Sequence, residues 1–123
     1  MNNTKSFSDL IVWQKSYKLC VEVYKVSKEF PSQENFGLIS QIRRCSVSIP
    51  SNIAEGYARK NRKEYIQFLY MANGSLAELQ TQLMLSKDIG YLNENIYNVL
   101  YSLSQEVGRM LWKMIVGLRQ KEP

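Results

Sequence analysis

Six basic side chains crowd into the stretch from Arg43 to Lys63, RRCSVSIPSNIAEGYARKNRK. They are Arg43, Arg44, Arg59, Lys60, Arg62 and Lys63, and one acid, Glu55, opposes them. The stretch sums to +5, the whole net charge of the chain, because the remainder holds ten bases and ten acids. Charge gathered this way marks a place for an anion. Phosphate suits it, since an arginine fork holds phosphate through paired hydrogen bonds and lysine adds a point charge. Arg43 and Arg44 are consecutive, so on a helix they point about 100° apart and make no single patch. Arg59, Lys60, Arg62 and Lys63 surround a loop before a helix start, whose free N–H groups add a weak attraction for anions. Tyr57 and Tyr65 flank them, where they would stack on unpaired bases. These six cations are the candidate nucleic-acid-binding residues. Binding through them rests on phosphate contacts and weakens steeply with salt. The plainer alternative is a solvated basic loop.

Other chemistries find little support. Histidine is absent, which removes the commonest general base and metal ligand. Cys20 and Cys45 share no motif and fall on apolar helical stripes, so they read as small core residues rather than a disulfide or a metal site. There is no Gly-rich phosphate loop and no nucleophile elbow. Glu55 and Glu64 have no evident acid partner. The expectation is a protein without enzymatic activity, cofactor or metal.

The elements that carry the basic stretch follow from periodicity. A chain of 123 residues fits one domain, here residues 1–123, and buries a real core. No apolar run nears the length of a membrane span, and the first residues lack a signal-peptide core, so a cytoplasmic protein with no membrane contact is expected. Helices are predicted at about 8–30, 33–56, 62–89 and 93–119. Ser8 or Asp9 caps the first, and Pro31 stops it. Two apolar lines run along it: Leu10, Trp13, Tyr17, Cys20 and Tyr24, and beside them Val12, Leu19, Val23, Val26 and Phe30. Ser32 caps the second helix, Gly56 ends it, and Pro50 should kink it near Ser46. Asn61 and Glu64 have capping-box spacing at the third, and Gly90 ends it. No segment alternates with period two. The fold class is all-α: an antiparallel, up-and-down four-helix bundle with a kinked second helix.

The fourth helix has more apolar surface than a bundle needs. Beside its core line of Ile96, Leu100, Leu103, Val107, Met110, Leu111, Met114 and Leu118 runs a second stripe of Tyr101, Gly108, Trp112 and Ile115, with Gln105 as its polar member. An arc this wide points to an oligomer interface; the alternative is that Trp112 leans over a neighbouring helix. Gln41, Ser48, Asn52 and Glu55 form a polar line on helix two, either a network fixing register or a strip facing a channel. Gly74 and Ser75 inside helix three weaken it and are read as permitting close helix packing, with a ligand role as the other option.

The strings DLIVWQKSYKL, FPSQENFGLISQIRRCSVSIPSNIAEGYAR and EYIQFLYMANGSLAELQTQL resemble the bacterial four-helix bundle proteins first recognised as reading frames within intervening sequences of 23S ribosomal RNA genes. The likeness runs from about Phe7 to Leu118, and SIPSNIAEGYAR is its most specific run. The accessory protein of diversity-generating retroelements looks like a relative. The resemblance implies a homopentamer with a basic surface and, for the retroelement branch, binding to nucleic acid and to a reverse transcriptase. It carries no catalytic residues. Arg43, Arg44, Ser48, Pro50, Asn52, Glu55, Gly56 and Arg59 fall on the signature run, and Ala58 stands where the family usually has glycine. The expected function is that of a non-enzymatic, pentameric protein binding RNA or DNA through its basic surface. The rival is a scaffold that docks a protein such as a reverse transcriptase without touching nucleic acid.

Overall fold

The computed structural model describes residues 4–121. Four helices make the fold: α1 (Ile11–Ser27), α2 (Leu38–Tyr57), α3 (Arg62–Asp88) and α4 (Glu94–Gln120). They pack in a closed cycle, α1 on α2, α2 on α3, α3 on α4 and α4 back on α1. Short links between sequential neighbours make the bundle antiparallel and up-and-down. The starts of α1 and α3 therefore share one end with the finishes of α2 and α4.

Two helix starts differ from expectation. A single 3-10 turn, Phe7–Asp9, precedes α1. Asp9 does not cap the helix, because its carboxylate turns back to the N–H groups of Lys5 (2.9 Å) and Ser6 (3.2 Å). Likewise Ser32 opens only a 3-10 turn, Ser32–Glu34, and α2 begins at Leu38. There the Glu34 carboxylate accepts from the Leu38 N–H at 3.3 Å. A Cβ on Gly37 would lie 2.9 Å from Glu34 Oε1, so a larger residue there would have to displace the carboxylate from this position.

The two signals around α3 act as read. Asn61 Oδ1 accepts from the Glu64 N–H at 2.8 Å, and the Asn61 amide donates to Glu64 Oε2 at 2.8 Å. At the far end Gly90 takes φ +88°. Tyr91 N–H reaches the Ser86 carbonyl (2.8 Å) and Gly90 N–H the Lys87 carbonyl (3.0 Å). Those two bonds form a Schellman closure, which needs a left-handed residue.

Gly56 is not a terminator. Helix α2 runs on to Tyr57 and is capped by Ala58 at φ −75°, a helical angle that alanine adopts freely. Gly56 is buried, and a Cβ there would meet Phe68 Cβ at 2.8 Å. Its role is close approach between α2 and α3. Gly74 does the reverse: a Cβ there meets nothing within 4 Å, so it serves no close packing. Pro50 lies inside an unbroken α2, lacking the N–H that would bond the Ser46 carbonyl, the point at which a helix bends.

The core is drawn mainly from Leu19, Val23, Ile42, Ile49, Ile53, Leu69, Leu79, Leu83, Val107, Leu111 and Ile115, all fully buried. Of the two lines on α1, that of Val12, Leu19 and Val23 is the core line. Trp13 is half-buried, and Tyr17 and Tyr24 are exposed. On α4 the buried line lies between the two predicted stripes: Leu100, Ser104, Val107, Leu111 and Ile115. Leu103, Met110, Met114 and Leu118 pack only partly against it, and Ile96 is exposed. Five serines are also buried: Ser16, Ser27, Ser46, Ser86 and Ser104. Each hydroxyl donates to a carbonyl three or four residues earlier, as Ser104 does to Tyr101 at 2.6 Å. Small and internally satisfied, they let helices approach without leaving an unpaired polar group.

Candidate nucleic-acid interface

The six candidate cations do not share one surface. Arg43 is part of the frame. Its Nε donates to Ser27 Oγ at 2.8 Å and its Nη2 to the Tyr24 carbonyl at 3.3 Å. The guanidinium also lies 4.7 Å from the Tyr24 ring centroid. It therefore pins α2 to the end of α1, bonding the Tyr24 carbonyl in the last turn of that helix. Arg44 is exposed, but fifteen residues of sequence, or roughly 22 Å of helix, separate it from Arg59.

Arg59, Lys60, Arg62 and Lys63 do come together, on the exposed loop and first turn between α2 and α3. Arg59 rests on the Phe68 ring, 4.7 Å from its centroid. Arg62 Nη1 donates to the Lys121 carbonyl at 2.6 Å, which brings the end of α4 against the start of α3. Lys60 and Lys63 make no ion pair among the described residues. The N–H groups of the α3 start are less open than the sequence implied, because Asn61 takes that of Glu64 and the Glu64 carboxylate sits beside it.

The fold adds two cations that the sequence does not single out. Arg119 and Lys121 lie far away in the chain, yet the Arg62 bond brings Lys121 to the loop. Arg119 Nη1 donates to the Tyr70 hydroxyl on α3 at 2.9 Å. Among the described residues the α2–α3 junction and the finish of α4 hold Arg59, Lys60, Arg62, Lys63, Arg119 and Lys121 against Glu55 and Glu64, and the start of α1 adds Lys5 and Asp9 at the same end. The signal was present in the sequence as the basic residues expected at a helix finish, but only antiparallel packing turns it into a shared surface.

The aromatic residues contribute less than expected. Tyr65 is half-buried beneath Gly56 and meets Tyr57 edge-on at 6.3 Å. Burial pushes its hydroxyl pKa up to about 12, with the neighbouring Tyr57 adding to the rise. Its ring is packed within the bundle and is not placed to stack on a base.

The predicted interface stripe also separates. Ile115 is fully buried and belongs to the core. A Cβ on Gly108 would lie 3.2 Å from Leu76 Cδ2, so Gly108 serves the α3–α4 seam. Tyr101 is half-buried and stacks on Tyr97 at 5.3 Å. Trp112 alone is substantially open, at 52%. It borders a groove of 480 Å³ between α3 and α4, with Asn73, Gln80, Gln105 and Arg109 around it. The polar line on α2 faces α3: Ser48 and Ser75 share a 2.8 Å hydrogen bond, and Asn52 Nδ2 donates to the Ser48 carbonyl and hydroxyl at 2.8 and 2.9 Å. Gln41 and Glu55 stay exposed at its ends.

Both cysteines are buried thiols, and burial raises both pKa values, that of Cys45 to about 12. Among the described residues no group of three or more Cys, Asp or Glu side chains is placed to hold a metal ion. No helix there is long and apolar enough to cross a membrane.

These features define an all-helical up-and-down bundle with a basic end and a tightly packed α2–α3 seam. The model of the 23S rRNA-intervening sequence protein family matches residues 8–113, and the chain belongs to that family. A crystal structure at 1.70 Å of a protein of unknown function from the S23 ribosomal protein family of Bacteroides thetaiotaomicron is similar, with a TM-score of 0.80. The two are 26% identical, over 85% of this chain and 98% of that one. Among curated proteins no relative matches the chain.

Proposed function

We propose that this is a non-enzymatic, self-associating cytoplasmic protein whose basic end holds the phosphate backbone of RNA or DNA. One observation carries the reading: cations from two distant segments, Arg59, Lys60 and Lys63 with Arg119 and Lys121, meet at one end of the bundle, where the acids among the described residues are Asp9, Glu55 and Glu64. Folding brings like charges together there at an electrostatic cost, and a polyanion is the partner that removes it. Self-association, as the pentamer implied by the family resemblance, repeats a weak site around one assembly and raises avidity without new contacts. Kinship with the retroelement accessory protein stands on the same footing, as an implication of the resemblance.

The test is a salt series of binding to a structured RNA and to duplex DNA. Wild type is compared with Lys60→Ala/Lys63→Ala and with Arg44→Ala. The double variant should weaken binding and flatten the slope of log K against log salt by about two ion equivalents per site. Arg44→Ala should change it little. Absent binding, or binding indifferent to both salt and the double variant, would refute the reading and turn attention to a scaffold that docks a protein such as a reverse transcriptase.

A further inference from the structure

Phe36 is completely exposed, 100% of its surface open, while the next most exposed large apolar residue, Val99, stands at 68%. It occupies the turn between the 3-10 turn Ser32–Glu34 and the start of α2. The turn is held: Glu34 Oε2 accepts from the Tyr91 hydroxyl at 2.9 Å and Oε1 from the Leu38 N–H at 3.3 Å. A phenyl ring presented to water on a fixed turn is an anchor without a socket.

A fitting socket lies elsewhere on the same molecule. The start of α1 and the end of α4 leave a groove of 440 Å³ lined by Leu10, Ile11, Val12, Met110, Lys113 and Met114. Methionines adapt to an entering ring and make favourable sulfur–aromatic contacts. Charge complements shape. Residues 29–37 include Glu29 and Glu34 and no base, whereas Lys113 on the groove makes no ion pair among the described residues. The loop cannot reach its own groove. Tyr91, which holds the loop, lies just before α4, and Met110 and Met114 lie sixteen and twenty residues beyond the first residue of that helix, or roughly 24–30 Å along it.

We propose that the Phe36 turn of one copy docks into the α1–α4 groove of a second copy, with Phe36 between the two methionines and the acidic loop toward Lys113. This rests on the reading that the chain self-associates. Anchor and socket are different patches, so each copy gives one and receives one, as in a closed ring or a reciprocal pair.

Sedimentation velocity on the full chain over a concentration series tests it, with circular dichroism as the check on folding. Phe36→Ala should raise the concentration of half-assembly by tenfold or more, and Phe36→Leu by much less. Ile11→Glu places an acid in the groove yet suits the first turn of a helix, so it should disrupt assembly equally while the helical signal persists. Lys113→Glu should weaken assembly severalfold. A mixture of Phe36→Ala with Ile11→Glu should form pairs, because each variant keeps the half that the other has lost. A wild type that stays monomeric overturns self-association, and the docking with it, leaving Phe36 for some other partner. A wild type that assembles, matched by Phe36→Ala at every concentration, overturns the docking alone. Loss with Phe36→Ala but not with Ile11→Glu overturns this socket.

Discussion

At the α2–α3 seam, Gly56 brings two backbones together over Phe68 and Tyr65, Ser48 meets Ser75 at 2.8 Å, and Cys45 Sγ lies 3.6 Å from Gln82 Oε1. At the α1–α4 seam no glycine draws the helices together. One ion pair, Lys15 to Glu106 at 2.9 Å, crosses its middle. Above and below it lie apolar grooves of 440 and 260 Å³, rimmed by Ile11 and Val99, which are 54% and 68% exposed. The same bundle thus has a closed side, set by small residues and satisfied polar bonds, and an open side rich in unfilled apolar surface. The closed side holds the run SIPSNIAEGYAR, in which Ser48, Ile53 and Gly56 serve the packing of α2. The open side is where the molecule has binding capacity left over.

The largest expected effect tests how tightly the closed seam is sealed. Burial, with the Glu78 charge behind it, lifts the Cys45 thiol from 9.0 to about 12. At pH 8 its thiolate is then scarcer by about a thousandfold than that of a free thiol, and the thiolate is the reactive form. Labelling of native protein by a thiol reagent at pH 8 should leave Cys45 untouched while urea-unfolded protein reacts at once. Cys20, which lines the groove between α1 and α2, should react before it. The sign of the pH dependence is fixed: the folded state keeps its proton more firmly. The stability contribution of Cys45 is therefore complete below pH 9 and lost as pH climbs from 9 toward 12. Rapid native labelling of Cys45 would show the seam to be open.

Gly56→Leu attacks the same seam sterically. Its Cβ alone would fall 2.8 Å from Phe68 Cβ, and overpacking of this kind costs about 1–3 kcal/mol, with leucine at the upper end. Urea denaturation should show a lower midpoint with unchanged slope. An unchanged midpoint would mean that α2 and α3 part easily.

Much of this molecule was legible one helix at a time. Asn61 with Glu64 and the closure at Gly90 are local signals, and both act as read. Glycine was harder. Gly56 and Gly74 look alike in sequence, yet one sits under Phe68 and the other faces nothing, and only the partner helix distinguishes them. The candidate interface was legible only in part, for a related reason. Charge arithmetic located Arg59, Lys60 and Lys63 and counted Arg43 with them, although it set Arg43 and Arg44 apart from the loop group; the hydrogen bond that fixes Arg43 to Ser27, sixteen residues away, leaves no local trace. It also passed over Lys121, which reaches the loop only when α4 returns antiparallel. Ile115 was placed on an outer stripe because the core line of α4, right at Leu100, Val107 and Leu111, was drawn too far round through Leu103, Met110 and Met114 and left out Ser104.

A smaller effect with the opposite sign checks the misread glycine. Gly74 lies in the middle of α3 with open space around its Cβ position. Alanine there limits the unfolded chain and favours the helix, so Gly74→Ala should stabilise by about 0.5–1 kcal/mol. A rise in thermal midpoint without change in assembly is expected. A fall would mean that another copy packs on this face of α3.

The smallest effect belongs to the open seam. Val99 is 68% exposed and borders the smaller groove with Glu22, Val26, Asn95, Ile96 and Leu100. Val99→Ser should shift unfolding by less than about 0.5 kcal/mol, as surface changes generally do. Leu100→Ala, one residue further and only 2% exposed, should cost about 2–5 kcal/mol. The contrast between adjacent residues measures how abruptly the core stops at this seam. Both variants must be compared at concentrations low enough to exclude association, since an oligomer adds its own concentration-dependent stability. If Val99→Ser matters only at high concentration, the smaller groove is also covered in the assembly, and the open side is an interface along its whole length rather than at one socket.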